Sequence, residues 1–207
     1  MIPRGENMIK TYSMIMDELR EYGNPKTKLA RMVSEGKYIP VIRGLYETDS
    51  DTAGYLLAGS IYGPSYLSFE FALSYYDLIP EAVHTYTSAT FDKKKKRSYD
   101  TPFGNFSYRD VPAAVYPVGV VLKTEGEYTF QIATKEKAIC DKLYTMSPVS
   151  NQKDMKSILT EDLRIDMDEI MKLDEEELRA IAQLYHSTNV SLFLRVYERS
   201  RKNEHSA

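Results

Sequence analysis

The 207-residue sequence predicts an α/β protein of the α+β kind: a small helix–helix–hairpin head, then a body with a mostly antiparallel sheet flanked by helices and a helical C-terminal part. Three observations predict it. Apolar residues recur at three/four spacing over residues 8–35, at spacing two between residues 83 and 133, and at three/four spacing again beyond. Glycine and proline clusters punctuate the changes of period. Tyrosine is heavily used, with 17 Tyr beside 7 Phe and no Trp, and an amphipathic ring suits a half-buried β-surface.

The first helix is predicted over residues 8–22, where Ile9, Tyr12, Ile15, Met16, Leu19 and Tyr22 share a face. Gly23-Asn24-Pro25 stops it and leaves no room for a further helix before the next. Asn24 caps a second helix, with Pro25 at the first helical position, where a missing N–H costs nothing. It runs to about Glu35, packs Leu29, Met32 and Val33 inward, and ends at Gly36. Residues 38–42 and 45–46, either side of Arg43-Gly44, form a hairpin. Helix, turn, helix, hairpin is the order of a winged helix, so a winged-helix-like head is expected over residues 1–48, with the body over 49–207.

In the body, residues 52–62 read as helical. Ser68 is expected to cap a helix over 67–76, with Glu70 in its first turn. Pro64 and Pro80 bracket that helix, whose Leu67, Phe71 and Tyr75 recur at helical intervals and should pack on the sheet. Strands are expected over 85–90, 97–101, 105–108, 115–122 and 128–133. Thr134 caps a helix over 135–145 that carries Ala138, Ile139, Cys140 and Leu143 inward. Glu136 and Lys137 there read as cap and surface residues. Helical segments follow over 153–159, 166–173, 174–185 (Asp174 and Glu177 forming a capping box) and 189–202.

Composition limits the function classes. Cys140 is the only cysteine, which excludes an internal disulfide and a multi-cysteine zinc site. His84, His186 and His205 have no metal-ligand spacing, and no phosphate-cradling glycine motif or nucleophile elbow occurs. Cys140 on an apolar helix face reads as an inert core thiol. The polar start, with Pro3, Arg4 and Glu6, does not read as a signal peptide, and no apolar run is long enough to span a membrane; a cytoplasmic location is the expectation. Neither a cofactor nor enzymatic activity is expected. Were the chain an enzyme, a metal-dependent nuclease using Glu70, Asp77, Glu136 and Asp141 would be the form.

Net charge is −3, but it is unevenly spread. Between residues 24 and 46 lie Lys26, Lys28, Arg31, Lys37 and Arg43 against Glu35 alone, whereas residues 161–180 carry nine acids against Arg164, Lys172 and Arg179. A basic helix with free N–H groups at its start suits phosphates, so Lys26, Thr27, Lys28, Arg31, Lys37 and Arg43 are candidate contacts to double-stranded DNA. An ordinary solvated basic face is the alternative. Lys93, Lys94, Lys95, Lys96 and Arg97 form a possible secondary basic patch, either a further phosphate or RNA contact or a solvated hairpin tip.

Several stretches, in order between residues 28 and 144, resemble one family. They are Ile42-Arg43-Gly44-Leu45-Tyr46, the block from Gly63-Pro64-Ser65-Tyr66 to Ile79-Pro80-Glu81, Tyr86-Thr87-Ser88-Ala89-Thr90, Thr101-Pro102-Phe103-Gly104-Asn105-Phe106-Ser107-Tyr108, and Ile132-Ala133-Thr134-Lys135-Glu136-Lys137-Ala138-Ile139-Cys140-Asp141-Lys142-Leu143-Tyr144. The chain resembles the AbiEi-type antitoxins of type IV toxin–antitoxin and abortive-infection systems. The resemblance implies an autorepressor whose winged helix binds inverted repeats at its own operator, through Lys26, Thr27, Lys28, Arg31 and Arg43. It also implies a body that counters a nucleotidyltransferase-like toxin, with no stable complex required. A protein-interaction module that does not bind DNA is the alternative.

Overall fold

A computed structural model describes residues 8–204, so the expectations for Pro3, Arg4, Glu6 and His205 lie outside the described residues. The protein is α+β. The first strand, β1 (Lys10–Thr11), precedes helix α1 (Tyr12–Glu18), so the predicted first helix starts four residues late. Thr11 explains the shift: its Oγ1 accepts from the Met14 N–H at 3.3 Å, capping α1, while its backbone joins a sheet. Helix α2 (Pro25–Ser34) forms as predicted, with Asn24 Oδ1 accepting from the Thr27 N–H at 3.1 Å. Gly36 follows at φ +70°, in the left-handed region that favours glycine.

Strands β2 (Ile39–Ile42) and β3 (Leu45–Glu47) make the hairpin, and β1 adds to its far side in the antiparallel order β1-β3-β2. Ile15, Leu19, Leu29, Met32 and Tyr38 form a small core of their own beneath the helices. Tyr38 also donates to Glu18 at 3.0 Å, and burial followed by that carboxylate pushes its hydroxyl up to about 12. The hairpin's other face belongs to the body, since Val41 and Leu45 enter the main core. Glu47, at 0 % exposure, accepts from the Tyr128 hydroxyl at 2.6 Å and from the Thr48 and Asp49 N–H groups at 2.7 and 3.2 Å.

A 3-10 turn (Gly54–Leu57) and α3 (Ala58–Ile61) lead to β4 (Tyr66–Leu67), α4 (Phe69–Tyr75), β5 (Thr85–Thr90), β6 (Arg97–Thr101), β7 (Gly104–Asp110), β8 (Val120–Glu125) and β9 (Tyr128–Ala133). The sheet order is β6-β7-β5-β4-β9-β8, with β5/β7 and β4/β9 parallel and the other three neighbours antiparallel. Leu67 therefore lies on a strand rather than at the start of a helix. Ser68 makes no side-chain cap; its hydroxyl points instead to Asp141. Strand β8 starts five residues later than expected: Val115 is buried in a turn, and Gly119 at φ +67° leads into the strand.

Register fixes the layers. Tyr66 shares a row with Ala89 and Arg109, and Leu67 shares the next with Ser88 and Tyr108, so the two rows face opposite ways. Tyr108 donates to the Ala58 carbonyl of α3 at 2.8 Å, whereas Tyr66 donates to Asp141 of α5 (Lys135–Tyr144) at 2.9 Å. Thus α3 covers one face and α5 the other. Helices α6 (Gln152–Ser157), α7 (Met167–Met171), α8 (Glu175–Leu184) and α9 (Thr188–Glu204) complete the chain, and α5 packs on α4, α8 and α9. Asp174 caps α8 as predicted, accepting from the Glu177 N–H at 2.8 Å. The reciprocal half comes from outside: Glu136 takes the Asp174 N–H at 2.8 Å, and Glu177 takes the Thr134 hydroxyl at 3.0 Å.

Asn189, buried in α9, closes the end of α5. Its amide donates to the Leu143, Met146 and Ser147 carbonyls at 3.0, 3.3 and 3.1 Å, and its oxygen accepts from the Val149 N–H at 2.9 Å. Asn189→Ala strands these groups and is expected to cost about 2–3 kcal/mol. Thermal unfolding should show a midpoint lower by roughly 5–10 °C; a change within the scatter of surface variants would contradict this role.

Candidate nucleic-acid interface

The candidate basic face of the head is built on α2. Leu29 and Met32 are its buried side chains, which turns Thr27, Arg31 and Ser34 outward, with Lys26 and Lys28 on the two flanks. Pro25 has no N–H, and Asn24 takes the Thr27 N–H with its side chain and the Lys28 N–H with its carbonyl, so of the first turn only the Lys26 N–H is left for an anion. Lys26 is exposed, and among the described residues its ammonium has no ion-pair partner. Lys28 is half-buried, its Nζ 4.8 Å from the centre of the Tyr22 ring. A groove of about 410 Å³ runs beside Lys26, lined by Tyr12, Leu29, Val33, Pro40 and Tyr46.

Two of the six candidate residues are already occupied. Arg31 Nε lies 2.7 Å from Glu35 Oε1, and Lys37 Nζ lies 2.8 Å from Glu35 Oε2. The two hydrogen bonds, from Lys37 first and then Arg31, hold the Glu35 carboxyl at about 2. Arg43 is exposed at the hairpin turn and has no ion-pair partner among the described residues. That turn does not project as a free loop, because the Gly44 carbonyl accepts from the Tyr12 N–H at 2.8 Å. The structure thus brings Lys26, Thr27, Lys28, Arg31 and Lys37 together on and just after α2, with Arg43 on the adjoining hairpin. The pairing by Glu35 was missed, although its position four residues after Arg31 and two before Lys37 was a readable signal.

The lysine run is not a hairpin tip. It joins β5 to β6, which are separated in the sheet by β7, and it is pinned. Lys93 Nζ donates to the Gly63 carbonyl at 3.1 Å and sits 5.2 Å from the Tyr62 ring centre; the Lys94 N–H donates to Asp110 Oδ2 at 2.7 Å. Lys95, Lys96 and Arg97 are exposed.

The acids weighed for nuclease chemistry are dispersed. Glu70 sits between Arg109 (3.1 Å) and Lys142 (2.6 Å); burial works to raise its carboxyl, but these cations and a backbone N–H hold it below the ordinary value. Glu136 caps α8, and Asp77 lies exposed after α4. Among the described residues no three His, Cys, Asp or Glu side chains converge to hold a metal ion.

Asp141 belongs to a cluster that sequence reasoning did not foresee. Lys137 is not a surface residue: it and Asp141 are both at 0 % exposure, with Nζ 3.1 Å from Oδ1. Lys137 also donates to the Val115 carbonyl at 2.9 Å and to the Tyr185 hydroxyl at 2.8 Å. Asp141 accepts from Tyr185, from Tyr66 at 2.9 Å and from Ser68 at 2.7 Å. Burial drives the Lys137 ammonium below its usual pKa, and lifts the Tyr66 and Tyr185 hydroxyls and the fully buried Cys140 thiol above theirs. Buried throughout, the cluster fastens α5 to β4 and to the residue that follows α8. Among the described residues no helix is long and apolar enough to cross a membrane. No family model matches the chain, and no curated protein matches it.

Proposed function

We propose that the protein is a DNA-binding regulator whose head is a winged helix and whose α2 enters the major groove. The carrying observation is topological: two helices joined by residues 19–24 lie between β1 and β2, in a sheet of order β1-β3-β2. That is the order of a winged helix from its first strand onward. Both helices follow the strand directly, so the connection over residues 19–24 needs no further helix. Lys26, Thr27 and Lys28 then lie at the N-terminal half of the recognition helix, where base edges and phosphates are within reach, and Arg43 sits on the wing.

The motif blocks support reading the protein as an AbiEi-type antitoxin that represses its own operon in the cytoplasm and counters a nucleotidyltransferase-like toxin. The head supplies repression, and the body supplies the antitoxin role. A second reading, a protein-interaction module without DNA binding, is favoured by one feature: Glu35 already engages two of the candidate cations.

A mobility shift with duplex from the region upstream of its own gene, paired with co-expression of the neighbouring gene product, separates the readings. The regulator shifts the duplex and rescues growth. Rescue without a shift leaves only the interaction module.

A further inference from the structure

We propose that Glu35 is a built-in competitor for DNA phosphate, which keeps Arg31 and Lys37 paired until a duplex displaces it and so limits the affinity of the head for DNA of any sequence. The inference rests on the reading of the head as a DNA-binding module. Both carboxylate oxygens are used, one per cation, at 2.7 and 2.8 Å. The geometry is that of a single acid mimicking a phosphate, each oxygen taking one donor.

The arrangement is exposed enough to exchange. Arg31 and Lys37 side chains are 73 % and 61 % exposed, and Glu35 is 32 % exposed, so no buried contact holds the trio closed. Exposed ion pairs of this kind are weak and screened by salt, and a polyanion lined with phosphates outcompetes one carboxylate. Glu35 is also placed for the task. As the C-cap of α2 it is covalently fixed at the end of the helix, one turn from Arg31 and two residues from Lys37. When the cations turn to phosphate, the carboxylate stays beside the DNA as an uncompensated negative charge. The cost is sequence-independent, so it lowers non-specific affinity and leaves base contacts to decide the site.

The test uses the full chain and its Glu35→Gln variant, with upstream duplex and random-sequence duplex as probes, followed by fluorescence anisotropy across a salt series. Glu35→Gln keeps a hydrogen-bonding side chain and removes the charge. It is expected to bind both duplexes roughly tenfold more tightly at about 0.1 M salt, with the log–log salt slope steepening from about −3.5 towards about −4.5 as one opposing charge is removed from beside five phosphate contacts. Glu35→Asp, which keeps the charge, should stay near the wild type. If the wild type binds and Glu35→Gln binds equally or more weakly, Glu35 positions the cations rather than competing for them, and this proposal is overturned while the DNA-binding reading stands. If neither protein binds either duplex, the reading of the head fails and the inference falls with it.

Discussion

Asp141→Asn is expected to lower the thermal midpoint by roughly 10 °C, because it leaves the fully buried Lys137 without its counter-ion. Removing one member of a buried ion pair costs about 3–5 kcal/mol. Asparagine keeps the shape and accepts from Tyr66 or Ser68, so the loss reports charge rather than volume. The deficit should depend on pH. A lysine whose folded pKa is depressed binds fewer protons folded than unfolded, so stability rises with pH between the folded value and the ordinary 10.5. Burial alone already depresses Lys137 in the wild type, with Asp141 opposing the shift; the asparagine variant loses that opposition. The gap between variant and wild type should therefore narrow as pH is raised from about 6 to about 9.5. The tyrosines of the cluster are common to both proteins and largely cancel in the difference. Adding Lys137→Met to Asp141→Asn should recover part of the loss, since a buried pair removed together leaves no orphan charge. Chemical or thermal denaturation at two pH values measures all of this, and a pH-independent gap would contradict it.

The second large effect concerns binding. Lys26→Glu combined with Arg43→Glu is expected to weaken DNA binding by roughly a hundredfold or more at about 0.1 M salt, since two attractive phosphate contacts become repulsive. The midpoint should stay within about 2 °C of the wild type, because both side chains are exposed and unpaired. Arg31 is a poorer target: Arg31→Glu would also break the pair with Glu35 and set two acids one helical turn apart. The double variant is measured by anisotropy beside a melting curve. Undiminished affinity would remove α2 and the hairpin from the interface.

Much of the architecture was legible because local chemistry dictates it. Asn24 and Pro25 alone place the start of α2, and the strands Thr85–Thr90, Arg97–Thr101 and Tyr128–Ala133 are visible in their alternation and turns. The two-residue strands β1 and β4 are too short to show a period. Tyr66 and Leu67 are both buried, so no polar face marks them as a strand. The two parallel neighbours follow from chain order in space, which no local signal carries. Lys137 was misplaced for a related reason. In a Lys-Glu-Lys helix start it looks solvated, but its partners Val115 and Tyr185 arrive from the turn before β8 and the residue following α8, and those of its counter-ion Asp141, Tyr66 and Ser68, from β4 and the residue before α4. The basic face of α2 was legible as composition, but its electrostatics were not, because Glu35 pairs with two of the five cations that make the stretch basic.

The central claim is that the head meets DNA through the cations on and just after α2 and on the adjoining hairpin. Its most direct test is the salt dependence of binding of the full chain to duplex from its own upstream region. Lys26, Lys28, Arg43, Arg31 and Lys37 as phosphate contacts, offset by the one Glu35 charge, predict a log–log slope of about −3.5, at roughly −0.9 per net charge. A slope near zero, or no binding at low salt, would contradict the account.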